Sequence, residues 1–182
     1  KVFAVGSGFK PGLDLFLPMD EVSDEIVANS LHIAVDFNTI ERAEDKRLGT
    51  GLDMIMIDHH MKQAPFGSIQ LIDNDSIAAS QIIASFIMEM GFKLDVIGAS
   101  CLFMGIVTDS GRFQYQPTTP RTFEIASFLV GYGVNLQELY DRLYVTEESS
   151  LQFKGYVYSH YGKTEHGVIY CKLTHDVLKE FG

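Results

Sequence analysis

Asp58, His59 and His60 stand together at the end of an apolar run, Met54 to Ile57, that predicts a buried strand. Two adjacent imidazoles and a carboxylate at the mouth of a strand are costly to desolvate unless they hold something. In open α/β sheets ligands gather beyond the carboxyl ends of strands, and His with Asp suits divalent transition metals. The pattern recurs twice. Leu31 to Val35 runs into Asp36, and Leu102 to Thr108 runs into Asp109. Three apolar segments that each end in an acidic or imidazole group predict one metal site built from three strand or helix ends.

Such a site suits phosphoryl chemistry. Two divalent ions about 3.5–4 Å apart clamp a phosphoryl group, acidify a water between them and stabilise the leaving oxygen. Asp36, His59 and Asp109 are the candidate ligands, and an imidazole among hard oxygens favours Mn²⁺ over Mg²⁺. Asp58 then accepts a hydrogen bond from a neighbouring imidazole or shapes the turn. His60 is left to contact phosphate or move a proton. Arg112, beside Gly111, is placed for a bidentate phosphate contact.

Bland readings compete at each position. A lone Asp after a strand more often forms a turn or caps a helix, and taken alone Asp36 reads that way. Arg112 serves a surface ion pair equally well. Arg42, in a charged run with Glu41, Glu44 and Asp45, reads as solvated helix face. Met54, Met56, Met88, Met90 and Met104 read as core. His32, His160, His166 and His175 have no partner at ligand spacing.

The elements that must position these groups follow from periodicity and punctuation. Val2 to Val5 reads as a short strand closed by a Gly6-Ser7-Gly8 turn, and Ser23 opens a short helix in an acidic patch. Residues 61–75 read as irregular, with Leu71-Ile72 as a short strand. Ile77, Ile82, Ile83, Phe86, Ile87 and Met90 recur at helical spacing before a Gly91 cap. Residues 94–107 are apolar nearly all round and predict a buried helix, with a strand as the alternative for the last part. Residues 111–120 read as a loop, Thr119-Pro120 starts a helix that runs to Gly131, and 136–143 continues in helix. After residue 148 a linker helix, a strand over 167–173 and a helix opened by Thr174 begin a second unit too short to fold alone.

Composition narrows the partners. A formal net charge of −10 argues against long-duplex binding, since duplex binders carry a basic footprint. A short nucleotide whose phosphate is met by metal remains compatible with that charge. No apolar run approaches the roughly 20 residues of a membrane span, and no signal peptide is visible. Cys101 and Cys171, far apart, fit a reduced cytoplasmic chain.

The motifs resemble those of the DHH phosphoesterases. Asp58-His59-His60 looks like the name-giving motif, and Val35-Asp36 with Arg42 is similar to the family's second motif. Gly105 to Phe113 resembles its fourth motif almost throughout, and Ser76 to Gly91, with Ser80 near its start, is similar to the helix after the DHH strand. Gly131-Tyr132-Gly133 and Leu139 to Tyr144 resemble the branch of nano-RNases and phosphatases of 3′-phosphoadenosine 5′-phosphate (pAp). The resemblance implies an α/β fold. A parallel-sheet DHH domain with flanking helices (1–147) is followed by the start of a smaller α/β DHHA1 domain (148–182). It also implies a two-metal, manganese-dependent hydrolase that releases mononucleotides from very short RNA or dephosphorylates pAp. Asp36, in a bridging position, His59 and Asp109 carry over as metal ligands, and His60 lies against the scissile phosphate. Asn38 falls away from the family's asparagine and takes no role.

The family's first motif, a His and two Asp after an initial strand, finds no match in residues 1–31. The expectation is therefore a piece of a longer enzyme that alone binds metal weakly and catalyses poorly. A cyclic-dinucleotide phosphodiesterase shares the metal core and is the nearest alternative. A catalytically incomplete nucleotide-binding module is the alternative outside enzymes. A homodimer is compatible with the sequence, which does not specify one.

Overall fold

The computed structural model describes residues 1–6, 18–61, 66–144 and 147–181. Its chain divides into two compact units, Lys1–Tyr140 and Asp141–Gly182.

Three apolar runs of the first unit become a parallel sheet in the order β1 (Leu31–Val35), β2 (Asp53–Asp58), β3 (Ile69–Ile72). Ile33 registers with Ile55 and Ile55 with Ile69; Val35 registers with Ile57 and Ile57 with Leu71. Side chains alternate between faces, so Ala34, Met56 and Asp58 go into the core while Ile33, Val35, Ile69 and Leu71 stay exposed. Among the described residues, that second face is uncovered.

The buried face of the sheet meets α2 (Ala79–Met90), which packs in turn on α3 (Val96–Asp109) and α4 (Pro120–Val130). Each has a local reason to start or stop. Gly91, at φ 68°, ends α2, its N–H bonding the carbonyls of Ile87 and Met88. The Asp95 carboxylate accepts from Gly98 N to cap α3. Thr119 and Thr122 exchange bonds in a capping box ahead of α4, with Pro120 in the first turn. Ile106, Val107, Ile125 and Leu129 are buried almost completely at the centre of this layer. A short α1 (Asp24–Ala28), capped by Ser23, precedes the sheet, and α5 (Leu136–Leu143) runs across the boundary between units.

The second unit holds α6 (Glu148–Ser159), an antiparallel pair β4 (Tyr161–Lys163) and β5 (Ile169–Cys171), and α7 (His175–Phe181). Phe181 meets Phe153 and Tyr156, each at a 5.6 Å centroid distance. No residue of α6 or α7 is buried, as expected of so small a piece.

Several expectations change. Val2 to Val5 forms no strand: Ala4 gives its N–H to the Asp20 carboxylate and its carbonyl to the Asp20 N–H. A side chain and a turn thus satisfy the backbone that a ladder would have used. The strand expected at Leu71-Ile72 is longer, starting at Ile69, because it pairs with β2. Residues 94–107 resolve as helix to the end. The predicted 167–173 strand narrows to Ile169–Cys171, and its partner β4 had no clear sequence signal. Ser7-Gly8, and residues 62–65 of the expected irregular stretch, lie outside the described residues.

Candidate metal and phosphate site

Two strands and one helix deliver the site. Asp36 follows β1 directly, its N–H extending the ladder to the Ile57 carbonyl. Its φ of 70° lies in the left-handed region, where a non-glycine residue costs about 1–2 kcal/mol. Asp tolerates that conformation better than most residues, and there the carboxylate turns toward His59. Asp58 ends β2 and is fully buried, with His59 and His60 just beyond. Asp109 is the last residue of α3.

His59 Nε2 lies 3.3 Å from Asp36 Oδ1 and 3.8 Å from Asp109 Oδ2. Its other nitrogen, Nδ1, is 3.3 Å from the Ser76 carbonyl, which accepts from the Nδ1–H tautomer. That tautomer leaves the Nε2 lone pair facing both carboxylates, the usual arrangement of a ligating imidazole. The His60 ring packs against it at a centroid distance of 4.4 Å. His60 Nδ1 sits 2.7 Å from Asp58 Oδ1, and the second Asp58 oxygen is buried with no hydrogen-bond partner.

Burial raises the pKa of Asp36, against the pull of His59 and His60, and the nearby Asp58 raises it further. Arg42 acts weakly in the opposite direction. Asp109 is raised by burial and then by Asp36, again opposed by the two histidines. Asp109 also ends a helix, where the backbone dipole disfavours negative charge. The cluster is short of positive charge, which is what a cation relieves. Atoms of Asp36, His59 and His60 lie mutually within 4.8 Å, a spacing one ion spans. Asp109 joins them through His59 rather than within that limit. The donor set of carboxylate oxygens and imidazole nitrogen therefore fits a divalent transition metal.

The structure brings Asp36, Asp58, His59, His60 and Asp109 together. Arg112 follows Asp109 in a tight turn where Gly111, Arg112 and Phe113 all have positive φ (54°, 66° and 63°). The turn is pinned by Arg112 N to the Val107 carbonyl at 2.9 Å and by Phe113 N to Ser110 Oγ at 2.8 Å. Residues with no expected role also support the site. Asn74 Nδ2 donates to the His59 and His60 carbonyls at 3.2 and 2.6 Å, and buried Asn38 donates to the Met61 carbonyl at 3.1 Å. Both hold the backbone that carries the imidazoles. Asn74 stands far from the histidines in sequence, and only the β2–β3 pairing brings it there.

The parallel sheet with its flanking helices and converging Asp and His groups has the fold of the DHH-type phosphoesterases. Over its whole length the chain is 31% identical to the Bacillus subtilis protein named bifunctional oligoribonuclease and PAP phosphatase, of which it covers 58%. The Thermus thermophilus protein of the same name is 33% identical over 79% of this chain and 45% of its own length. The crystal structure of an exopolyphosphatase-related protein from Bacteroides fragilis superposes with a TM-score of 0.78. It is 26% identical, over 87% of this chain and 49% of that one. The chain spans about half the length of the curated relatives it matches. No family model matches it.

Proposed function

We propose that this chain carries the hydrolytic site of a manganese-dependent phosphoesterase that cleaves short oligoribonucleotides to mononucleotides and pAp to AMP. The observation that carries the reading is His59 Nε2 held between the Asp36 and Asp109 carboxylates at 3.3 and 3.8 Å. The 31% identity to a protein named for those activities supports the choice of substrates. Asp36, His59 and Asp109 are the proposed ligands, for two ions in the intact enzyme. A divalent cation there supplies Lewis acidity toward a phosphoryl oxygen and lowers the pKa of water.

The remaining roles belong to the chain itself. Asp58 accepts from Nδ1–H of His60, which fixes the tautomer and leaves Nε2 aimed outward. Protonated at Nε2 as well, His60 donates to a non-bridging phosphate oxygen, and the Asp58 carboxylate stabilises the imidazolium. Arg112, exposed at the end of the left-handed turn, contacts a second phosphate oxygen. Residues 1–147 form the DHH domain and 148–182 the start of the DHHA1 domain, in a cytoplasmic enzyme. Among the described residues no helix is long and apolar enough to cross a membrane.

Manganese titration by calorimetry, with hydrolysis of pAp, a dinucleotide and a cyclic dinucleotide by the full-length protein, tests the reading. We expect Asp36→Asn and His59→Ala each to weaken Mn²⁺ binding and abolish turnover. Unchanged metal affinity in both variants overturns the ligand assignment. Cleavage confined to the cyclic dinucleotide overturns the substrate assignment.

A further inference from the structure

We infer that Tyr115 is a nucleobase-stacking residue of the phosphoesterase site, setting its preference for nucleotides over simple phosphate esters. The inference rests on the proposed function and adds a contact for the base to one for the phosphate. A phosphoesterase acting on very short RNA has few phosphates to grip. Stacking on an aromatic face is the sequence-tolerant way to hold such a ligand.

Three observations point to Tyr115. Tyr115 is 60% exposed although its ring lies against Gly111, in the turn just past Asp109. A Cβ placed on Gly111 would fall 2.5 to 2.7 Å from three of its ring carbons, so one edge or face of the ring rests on the glycine and the remainder is open. Gly111 is two residues past Asp109, so at most about 7 Å of chain separates the ring's support from that carboxylate. Finally, the backbone that carries the ring is fixed. Tyr115 N donates to the Ser110 carbonyl at 3.0 Å, closing the same turn that presents Arg112. Gly111 thus answers two demands, a φ of 54° and room for the ring.

The other aromatic groups near the site are already engaged. Phe37, next to Asp36, stacks on Phe66 at 5.7 Å, and Phe113 stacks on Phe123 at 5.2 Å and tilts against Phe103 at 6.1 Å. Those pairs hold the loops in place.

The 182-residue chain contains no tryptophan, so Tyr115→Trp introduces a single fluorescent reporter at this position. We expect its emission to be quenched on titration with pAp in the presence of Mn²⁺, and left unchanged by a ribose bisphosphate without a base. Tyr115→Leu keeps bulk over Gly111 and removes the π face. It should weaken pAp binding by equilibrium dialysis about ten-fold or more and leave the base-free ligand unaffected. Binding of pAp without quenching overturns the inference, as does an equal loss for both ligands in Tyr115→Leu, the mark of a merely structural ring. If wild-type chain and full-length protein both fail to bind pAp, the proposed function falls first and this inference with it.

Discussion

Asp58 is fully buried, yet it is not among the residues proposed to hold metal. Its contribution runs through one bond, 2.7 Å from Oδ1 to His60 Nδ1. Replacing it with Asn keeps the shape and can reverse the bond, since an amide N–H asks His60 Nδ1 to accept. The ring then stays neutral with its proton on Nε2, and the imidazolium that donates most strongly to phosphate loses its stabilising carboxylate. We expect Asp58→Asn to lower kcat on pAp about 10–100-fold, the range for lost outer partners of site histidines, with Mn²⁺ affinity nearly unchanged by calorimetry. A large fall in metal affinity with intact kcat per bound metal would show Asp58 to be a ligand instead. At this scale much of the site was legible in the sequence. Asp58, His59 and His60 are adjacent, and Asp36 and Asp109 each end an apolar run. Asn74 and Ser76 were not legible, because their contacts are with backbone atoms brought near only by sheet pairing.

At the scale of elements, the site depends on how closely α3 approaches α2, since α3 ends in Asp109. Gly105 makes that approach. A Cβ there would lie 2.6 Å from Ser80 Oγ and 2.9 Å from Ser80 Cβ, atoms near a helix backbone that cannot swing away. Gly105→Ala gains about 1 kcal/mol of helix propensity but loses about 1–3 kcal/mol to overpacking. We expect net destabilisation of about 1 kcal/mol, with Tm lower by about 2–4 °C. Ser80→Gly in the same chain should relieve the clash, so the double variant should be more stable than the sum of the single changes. Additive effects in thermal melts would show that the contact does not limit packing. The helices were readable from spacing and from the Gly91 and Thr119-Pro120 caps, which act locally. Strands were less so: whether Val2 to Val5 pairs, or where β4 finds its partner, is decided by distant residues. The all-round apolar α3 left its last part open between helix and strand, since periodicity is silent when every position is apolar.

The whole chain carries a net charge of −10, so a long polyanion approaches against a repulsive field. The proposed phosphate contacts, His60 and Arg112, act only at short range. Charges farther along an RNA face the general negative surface instead. Screening acts unequally on these two. The Debye length is about 10 Å at 0.1 M salt and shrinks as salt rises, so added salt removes the long-range repulsion more than the contacts at the site. A basic-channel nuclease behaves oppositely, since each displaced counterion makes affinity fall with salt. We therefore expect a length series from two to about twenty nucleotides to show affinity falling with length at low salt. The gap between shortest and longest should narrow as KCl is raised from about 50 to 200 mM. Binding measured by fluorescence polarisation with uncleavable end-labelled RNA separates this from chemistry. A steep loss of affinity for the longest RNA with salt, alongside little change for the dinucleotide, would mean that a cationic track outweighs the net charge. The proposed preference for short substrates would then need a steric cause.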